Sequence, residues 1–344
     1  MKVGIITDIH YGQYSSIIRM RGKKYSKRLE VCIDSLNWAE DLFEAQGCDQ
    51  VFCLGDFFDH AHLGAEELTA LNELKQHRGR HVAIVGNHEL TNANREFNSM
   101  SILRQLGWEV ISEPTIEKYS NISYIFLPYI VEEERKPFAE YMKGDGKRVV
   151  FSHNDIKGIR YGAFVSEEGF DLAEIEANCD LFLNGHLHNS QFLNDDCTIL
   201  NVGNLTGQNF GEDAFRYKHY ACILDTDTLE LKFYENPYAL NFIKLDLTWS
   251  ESKLSDILTL RNPVVTIKAY EEQIPDVKMF LEDNNIIASR VIAVVHDMAT
   301  LDSAGQQITL NAIDHLQLLR DFALEKLGAT QAVKEELSVL VEGN

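Results

Sequence analysis

The chain has 344 residues, which predicts two domains and excludes a disulfide-linked miniprotein or a single peptide module. Its hydrophobic fraction of 45% and charged fraction of 25% are typical of a protein that buries an ordinary core without cross-links. With 32 basic and 53 acidic residues, the formal net charge is -21. This charge opposes unspecific binding to nucleic acid, although an enzyme with a locally basic site remains compatible with it.

The six cysteines form no CxxC pair, and no apolar stretch is long enough to cross a bilayer. Residues 2–7 have the character of a strand rather than of a signal peptide. We therefore expect a cytoplasmic protein that is neither secreted nor bound to a membrane.

Short runs of β-branched and apolar residues, each followed by polar residues, predict five strands between residues 3 and 184. These runs cover residues 3–7, 51–54, 82–85, 149–152 and 181–184. Apolar residues at helical spacing predict a helix over 28–46, which ends at Gly47, and a second helix over 66–77. The alternation of strands and helices is typical of an α/β fold, in which ligands bind beyond the carboxyl ends of the strands.

The pattern changes after residue 238, where shorter elements predict a small α+β domain. Its predicted strands cover 242–247, 264–269 and 289–295, and its predicted helices cover 250–260 and 276–284. Two further stretches, 311–327 and 330–341, each carry apolar residues on one helix face. We therefore predict domains over 1–238 and 239–298, followed by a helical C-terminal segment over 299–344.

Residues with metal-ligating side chains follow all five predicted strands. In chain order they are Asp8 and His10, Asp56 and Asp59, Asn87 and His88, His153, and His186 and His188. Any one of these histidines alone would more often be a hydrogen-bonded surface residue, so the prediction depends on the complete set. Carboxylate, imidazole and amide oxygen together suit manganese, iron or zinc. A carboxylate that bridges two ions about 3.5 to 4 Å apart is suited to displacement at phosphorus.

The order DxH, GDxxD, GNHE, H and GHxH resembles that of the calcineurin-like metallophosphoesterases, over residues 1–235. The resemblance implies a four-layer α/β/β/α sandwich, here followed by the small α+β capping domain and the C-terminal helices. It implies that one ion is held by Asp8, His10, Asp56 and His188, and that a second is held by Asp56, Asn87, His153 and His186. His88 would then be the general acid, and Asp59 would orient it. We expect two Mn²⁺ ions, with Mg²⁺ as a weaker substitute.

Within this superfamily, the chain resembles the SbcD family of recombination and repair nucleases, in the compact form found in phages. The shared features are the GDFFD motif, the strand end at Leu127, Pro128 and Tyr129, the overall length and the small second domain. Protein phosphatases carry arginine after GDxxD, whereas His60 follows Asp59 here, although Glu89 of GNHE is the residue that phosphatases use. The resemblance implies a homodimer and a partner ATPase of the SbcC type, which would bind the C-terminal helices.

Six basic residues lie within ten positions close to the first motif, and no acidic residue occurs between positions 11 and 29. These basic residues are Arg19, Arg21, Lys23, Lys24, Lys27 and Arg28. One hypothesis is that they contact the phosphate backbone of DNA. The alternative is a solvated loop that leads into a helix.

Three hypotheses for the function follow. The leading one is a two-metal DNA nuclease, with exonuclease or endonuclease activity, that is the catalytic subunit of an SbcCD-type complex in DNA repair, recombination and replication. The second is a phosphodiesterase or phosphatase for nucleotides or other small molecules. The third is a non-catalytic scaffold, and the complete set of ligands argues against it. The C-terminal helices either bind the ATPase or complete the core of the second domain.

Overall fold

A computed structural model describes residues 1–13, 22–92, 95–161, 164–212, 214–245, 256–294, 300–301 and 307–308. One compact unit comprises residues 1–269 and 275–292, and a second comprises 270–274 and 293–344. The helices are α1 Lys27–Gln46, α2 Ala65–Ala70, α3 Leu172–Asn178 and α4 Ile274–Asp283. The strands are β1 Lys2–Ile6, β2 Gln50–Cys53, β3 Arg80–Ile84, β4 Glu109–Ile111, β5 Thr115–Tyr119, β6 Ile122–Leu127, β7 Lys147–Ser152, β8 Arg160–Tyr161, β9 Phe164–Val165, β10 Leu181–Asn184, β11 Gln191–Phe192, β12 Ile199–Asn201, β13 Tyr220–Asp225, β14 Glu230–Glu235, β15 Asn241–Leu245, β16 Pro263–Tyr270, β17 Ile287–Val294, β18 Thr300–Leu301 and β19 Gln307–Ile308.

Two six-stranded sheets form the frame of the first unit. Their strand orders are β14-β13-β1-β2-β3-β4 and β11-β12-β10-β7-β6-β5. In the first sheet β1 to β4 run parallel, and in the second β6, β7, β10 and β12 do. Parallel strands end at the same edge of a sheet. The residues that follow β1, β2 and β3 therefore lie together, as do those that follow β7 and β10.

The two sheets pack face to face, and helices cover their outer faces. Phe52 of the first sheet meets Phe151 of the second edge to face, with ring centroids 4.8 Å apart. On the outer side of the first sheet, buried residues of α1 such as Phe43 complete the core. On the outer side of the second, Ile175 of α3 and Phe138 of the short 3-10 helix Phe138–Tyr141 do the same. The predicted α/β/β/α sandwich is therefore confirmed.

Helix α1 begins and ends as the sequence predicts. The side chain of Ser26 accepts a hydrogen bond from the backbone N–H of Leu29, and Gly47 ends the helix in the left-handed conformation with φ 68°. The predicted apolar face is buried along its length and comprises Leu29, Cys32, Ile33, Leu36, Ala39 and Phe43.

The helix predicted over 66–77 is shorter than expected. α2 ends at Ala70 and a single 3-10 turn follows over Leu71–Glu73. Beyond this turn, side chains of α1 take the backbone donors that a longer helix would use: Asn37 Oδ1 accepts from Lys75 N–H at 2.7 Å, and Glu40 Oε2 accepts from His77 N–H at 3.1 Å. Tertiary hydrogen bonds thus replace the last helical turn.

The small elements after residue 238 lie where the sequence predicts them. β15, β16 and β17 form a three-stranded sheet in that order, and α4 lies between β16 and β17 in the chain. Most of the helix predicted over 250–260, and both helices predicted over 311–341, lie outside the described residues. The domain boundaries at 238 and 298 remain predictions. Where the structure describes the chain, none of its helices has the length and apolar character needed to cross a bilayer.

Candidate metal centre

The predicted metal ligands meet beyond the carboxyl ends of five parallel strands. They come from the connections after β1, β2, β3, β7 and β10 and comprise Asp8, His10, Asp56, Asn87, His153, His186 and His188. All seven fall into two groups that share Asp56.

The first group contains Asp8, His10 and His188. One ligand atom of each lies within 4.8 Å of the others. His10 Nε2 is 3.9 Å from Asp8 Oδ1 and 3.8 Å from Asp56 Oδ2. The rings of His10 and His188 meet edge to face, with centroids 5.0 Å apart. These distances leave room for a cation between the donor atoms.

The second group contains Asp56, Asn87, His153 and His186. His153 Nε2 lies 3.2 Å from both Asp56 Oδ2 and Asn87 Oδ1, and Asn87 Oδ1 is 3.0 Å from His186 Nδ1. The other ring nitrogen of His153 faces the backbone oxygen of Leu54 at 2.6 Å. A carbonyl accepts only, so His153 Nδ1 carries a proton, and Nε2 would be the atom that binds a metal ion.

Some of the buried donor atoms have no hydrogen-bond partner, which favours coordination of a metal ion. Asp8 Oδ1 and His10 Nε2 are buried and have no hydrogen-bond partner among the described residues. Leaving such atoms unpaired costs free energy that a coordinated cation would recover. The mixed carboxylate, imidazole and amide donors are those preferred by manganese, iron and zinc. The residues present therefore fit two metal ions with Asp56 between them.

Four of the predicted ligand residues have left-handed backbone conformations, which residues other than glycine rarely adopt. The φ angles are 49° at Asp8, 47° at His10, 46° at Asp56 and 72° at His186. Each such conformation costs about 1 to 3 kcal/mol. Hydrogen bonds between the strand ends hold this geometry, including His10 N–H to the backbone oxygen of Asp56 at 3.0 Å. These conformations lower the stability of the fold, and they direct the four side chains to one point.

The glycines of the GNHE and GHxH motifs allow the strand ends to approach closely. A Cβ atom at Gly86 would lie 2.2 Å from Asp56 Oδ1, and one at Gly185 would lie 2.3 Å from Thr7 Oγ1. Both distances are far below van der Waals contact. Larger residues at these positions would push the ligand carboxylates out of place.

Glu89 connects the loops that carry the ligands. Its buried carboxylate accepts hydrogen bonds from the backbone N–H groups of Gly86 at 2.8 Å, Phe58 at 2.9 Å and Asp56 at 3.2 Å. Burial, together with the nearby Asp56 carboxylate, raises the pKa of Glu89 above its ordinary value. Glu89 thus braces the GDxxD and GNHE loops against each other.

Two carboxylates that the sequence analysis missed orient ligand histidines. Asp155 Oδ1 is 3.1 Å from His186 Nε2, and Glu212 Oε1 is 3.0 Å from His188 Nδ1. Burial by itself would raise the pKa of Glu212, but the contact with His188 lowers it below the ordinary value. A carboxylate on the second ring nitrogen fixes the tautomer of a metal ligand and strengthens its basicity. Asp155, two residues after His153, could have been noticed, whereas nothing in the sequence around Glu212 marks it.

Because each of these carboxylates supports a different group, their removal should have separable effects. We expect Glu212→Gln to weaken the ion near His188, and Asp155→Asn to weaken the ion near His186, each by roughly 10- to 100-fold. Manganese titration of the stripped variants by calorimetry measures both affinities, with the exposed Glu230→Gln as control. Wild-type affinities at both sites in both variants would contradict these roles.

Asp59 lies at the site but contacts a different histidine from the one predicted. Its carboxylate oxygens are 3.2 Å from His10 Nδ1 and 3.1 Å from His60 Nε2. Only its backbone oxygen reaches His88, at 2.9 Å from Nδ1. The side chain of Asp59 therefore faces the predicted ligand His10, and its backbone oxygen faces His88.

His88 lies beside the ligands with its side chain exposed. One of its ring nitrogens is within 4.8 Å of ligand atoms of His10 and Asp56. Its backbone N–H donates to Asp56 Oδ1 at 3.0 Å, and Asp59 fixes its ring through Nδ1. The ring is thus held at the mouth of the site, where a substrate would arrive.

Four of the six basic residues are described, and one of them, Arg28, does not lie on the surface. Arg19 and Arg21 lie outside the described residues, Lys23 is exposed, Lys27 is half-buried, and Lys24 pairs with Glu73. Arg28 was predicted to contact DNA but is buried, with 2% of its surface exposed. Its guanidinium donates to the backbone oxygens of Gly207 at 2.8 Å and Ile9 at 3.0 Å, and to Thr206 Oγ1 at 2.9 Å. Arg28 faces inward because it lies on the first turn of α1, against the loop after β1.

Arg28 should therefore matter for stability rather than for binding. We expect Arg28→Ala to lower the free energy of unfolding by about 3 kcal/mol, because it leaves several buried acceptors unpaired. Urea denaturation measures the change, and the exposed Lys23→Ala should stay within about 0.5 kcal/mol of wild type. Equal stabilities of the two variants would refute the structural role.

A family model, a viral protein and two solved structures are similar to this chain. The model of the family described as calcineurin-like phosphoesterase matches residues 1–204, which contain every predicted ligand. Phosphoesterase 078R of Invertebrate iridescent virus 3 is 29% identical over 186 residues, 50% of this chain and 52% of that protein. The chain thus spans about half the length of that relative. Two solved structures are also similar. A dimetal phosphatase of Danio rerio is 14% identical and matches 68% of this chain and 96% of that chain, with a TM-score of 0.41. The calcineurin-like phosphoesterase YfkN of Bacillus subtilis is 11% identical and matches 68% of this chain and 88% of that chain, with a TM-score of 0.37.

Proposed function

Because the chain belongs to the calcineurin-like phosphoesterase family, we propose that it is a metal-dependent phosphodiesterase that cleaves DNA. The proposal extends to a catalytic subunit that acts with an SbcC-type ATPase. The observation that carries the phosphodiesterase assignment is the charge of the site, and the assignment to DNA and to the ATPase complex rests on the sequence motifs.

The charge of the described site suits a diester better than a monoester. In the part of the chain that the structure describes, the ion pairs of Asp8, Asp56 and Asp59 are all with histidines. His60, at the position where protein phosphatases carry arginine, is 69% exposed. A phosphomonoester carries more negative charge than a diester and is typically clamped by arginine. A site built from metal ions and histidines has less need of such a clamp when its substrate is a diester.

His88 is placed to protonate the leaving oxygen. The backbone oxygen of Asp59 accepts from its Nδ1–H, so Nε2 is the nitrogen that can take up and release a proton. In the imidazolium form, Nε2–H can be donated to the departing sugar oxygen. His10, His186 and His188 each face a carboxylate, at 3.2, 3.1 and 3.0 Å respectively.

Two ions held by the seven ligands would supply positive charge that stabilises the transition state, and they would activate water at neutral pH. We propose manganese as the metal, because mixed imidazole and carboxylate donors favour it over magnesium. Asp56 would keep both ions at the distance that in-line displacement needs.

Digestion of DNA tests the assignment most broadly. The protein is incubated with linear double-stranded and single-stranded DNA and manganese, with and without a candidate ATPase and ATP. We expect metal-dependent cleavage that the ATPase stimulates. Absence of cleavage on both substrates, together with hydrolysis of a small diester, would reject DNA as the substrate and retain the phosphodiesterase.

The charge of the protein favours the outcome in which a small diester is hydrolysed and DNA is not. The net charge of -21 repels a polyanion over most of the surface, and Arg28 is no longer available to a basic contact surface. A phosphodiesterase or phosphatase for nucleotides or other small molecules is therefore the second candidate. The rates of hydrolysis of bis-p-nitrophenyl phosphate, a diester, and of p-nitrophenyl phosphate, a monoester, distinguish a phosphodiesterase from a phosphatase.

The remaining parts of the proposal concern partners. We propose that residues 299–344 bind the ATPase, that the active form is a homodimer and that the protein acts in the cytoplasm. Removal of residues 306–344 should abolish co-purification with the ATPase while hydrolysis of bis-p-nitrophenyl phosphate and metal binding stay unchanged. An aggregated truncation product would instead indicate that these residues complete the fold of the chain.

A further inference from the structure

A third group of metal-ligating side chains lies apart from the seven predicted ligands. It is formed by Glu40 of α1, His77 of the connection before β3, and His81 of β3, with one ligand atom of each within 4.8 Å of the others. All three side chains are buried, with 6% of Glu40 and 3% of each histidine exposed. The proposed function uses none of them.

Both histidines direct a ring nitrogen at the same carboxylate. His77 Nδ1 is 2.7 Å from Glu40 Oε2, and His81 Nε2 is 3.2 Å from each of the two carboxylate oxygens. The turn between the histidines is tight: a Cβ atom at Gly79 would lie 2.8 Å from His77 Nε2 and 3.0 Å from the backbone oxygen of Asp49. The backbone therefore fixes where the rings can point.

His81 has the same hydrogen-bond surroundings as the predicted ligand His153. Its Nδ1 is 3.1 Å from the backbone oxygen of Gly79, as Nδ1 of His153 is 2.6 Å from that of Leu54. Its Nε2 faces a carboxylate at 3.2 Å, as that of His153 does. Since Nδ1 must donate to the carbonyl, neutral His81 turns a lone pair toward negatively charged oxygens. A metal ion bound to Nε2 would remove this unfavourable contact.

The charge of Glu40 supports the same conclusion. The structure shows ion pairs of this carboxylate with His77 and His81, and among the described residues no lysine or arginine pairs with it. A buried carboxylate between two neutral imidazoles would be uncompensated, which is costly. A divalent ion would neutralise it and use all three donors.

We propose that Glu40, His77 and His81 bind a zinc ion that joins α1 to β3. Two imidazoles and one carboxylate form an established zinc donor set, and a fourth position is available for water. Glu40 also lines a cavity together with Leu74, Gln76 and Trp108. A zinc ion here would cross-link α1 to β3 and to the connection that precedes β3.

The site can be tested without interference from the metal centre. In an Asp56→Asn background, the stripped full-length protein is titrated with Zn²⁺, and ion content and melting temperature are measured. We expect one tightly held zinc ion and a rise in melting temperature of roughly 3 to 5 °C at a hundredfold excess over Kd. The addition of Glu40→Gln should abolish both effects. The addition of Glu44→Gln, an exposed residue one turn further along α1, should abolish neither.

If Glu40→Gln prevents folding, His77→Asn provides the same test, because His77 lies in the connection rather than in a helix or strand. Loss of the zinc ion and of the temperature shift in that variant would support the site. Zinc binding that persists in both variants, or no zinc binding in the Asp56→Asn background, would overturn it. The trio would then be a hydrogen-bonded network without a metal ion.

Discussion

Replacement of Asp56 by asparagine is expected to remove the metal pair and to lower phosphodiesterase turnover by at least about 10³-fold. The reason is that its carboxylate belongs to both groups of ligands, 3.8 Å from His10 Nε2 and 3.2 Å from His153 Nε2. Each bound ion contributes several kcal/mol of transition-state stabilisation, so loss of the bridge affects both. Electron paramagnetic resonance of the manganese-loaded variant should show that the coupled pair is lost.

The matched control is Asp145→Asn, an exposed aspartate whose partner is Lys118. It should retain the coupled manganese signal and full hydrolysis of bis-p-nitrophenyl phosphate. A coupled pair that survives in Asp56→Asn would show that another residue bridges the ions.

Substitution of His88 by glutamine should separate chemistry from metal binding. We expect a loss of roughly 10²- to 10⁴-fold in kcat, the usual contribution of a general acid, while both ions stay bound. The basis is that His88 is exposed beside the ligands and that its ring is fixed by a backbone oxygen rather than by a ligand carboxylate. The rate of bis-p-nitrophenyl phosphate hydrolysis and the manganese affinity are measured on the same preparation.

The exposed His62→Gln serves as the control for His88. It should leave both the rate and the metal affinity unchanged. If His88→Gln instead loses an ion, His88 is a ligand and the assignment of roles to Asn87 and His88 is reversed.

Much of the frame and the position of the site could be predicted because both follow from local patterns. Apolar strands followed by polar residues mark β1, β2, β3, β7 and β10, and the ligands come directly after them. The spacing of buried residues in α1, with Ser26 before it and Gly47 after it, is likewise a local property. In these regions the strands and the helix lie where the local sequence pattern predicts them.

The features that the sequence did not reveal depend on contacts between distant parts of the chain. Arg28 lies in a basic run that resembles a surface loop, yet it bonds to Gly207, which is 179 positions away. Glu212 reaches His188 across 24 positions. The helix predicted over 66–77 is cut short, and the backbone N–H groups of Lys75 and His77 donate instead to Asn37 and Glu40 of α1. Such pairings leave no periodic signal, and only the folded chain brings them together.

Hydrolysis of bis-p-nitrophenyl phosphate by the stripped protein, followed as manganese is returned, tests the two-metal phosphodiesterase most directly. The account predicts no hydrolysis in excess chelator, and recovery of activity together with the resonance signal of a coupled manganese pair. Undiminished hydrolysis in excess chelator, or full activity without the coupled pair, would contradict it.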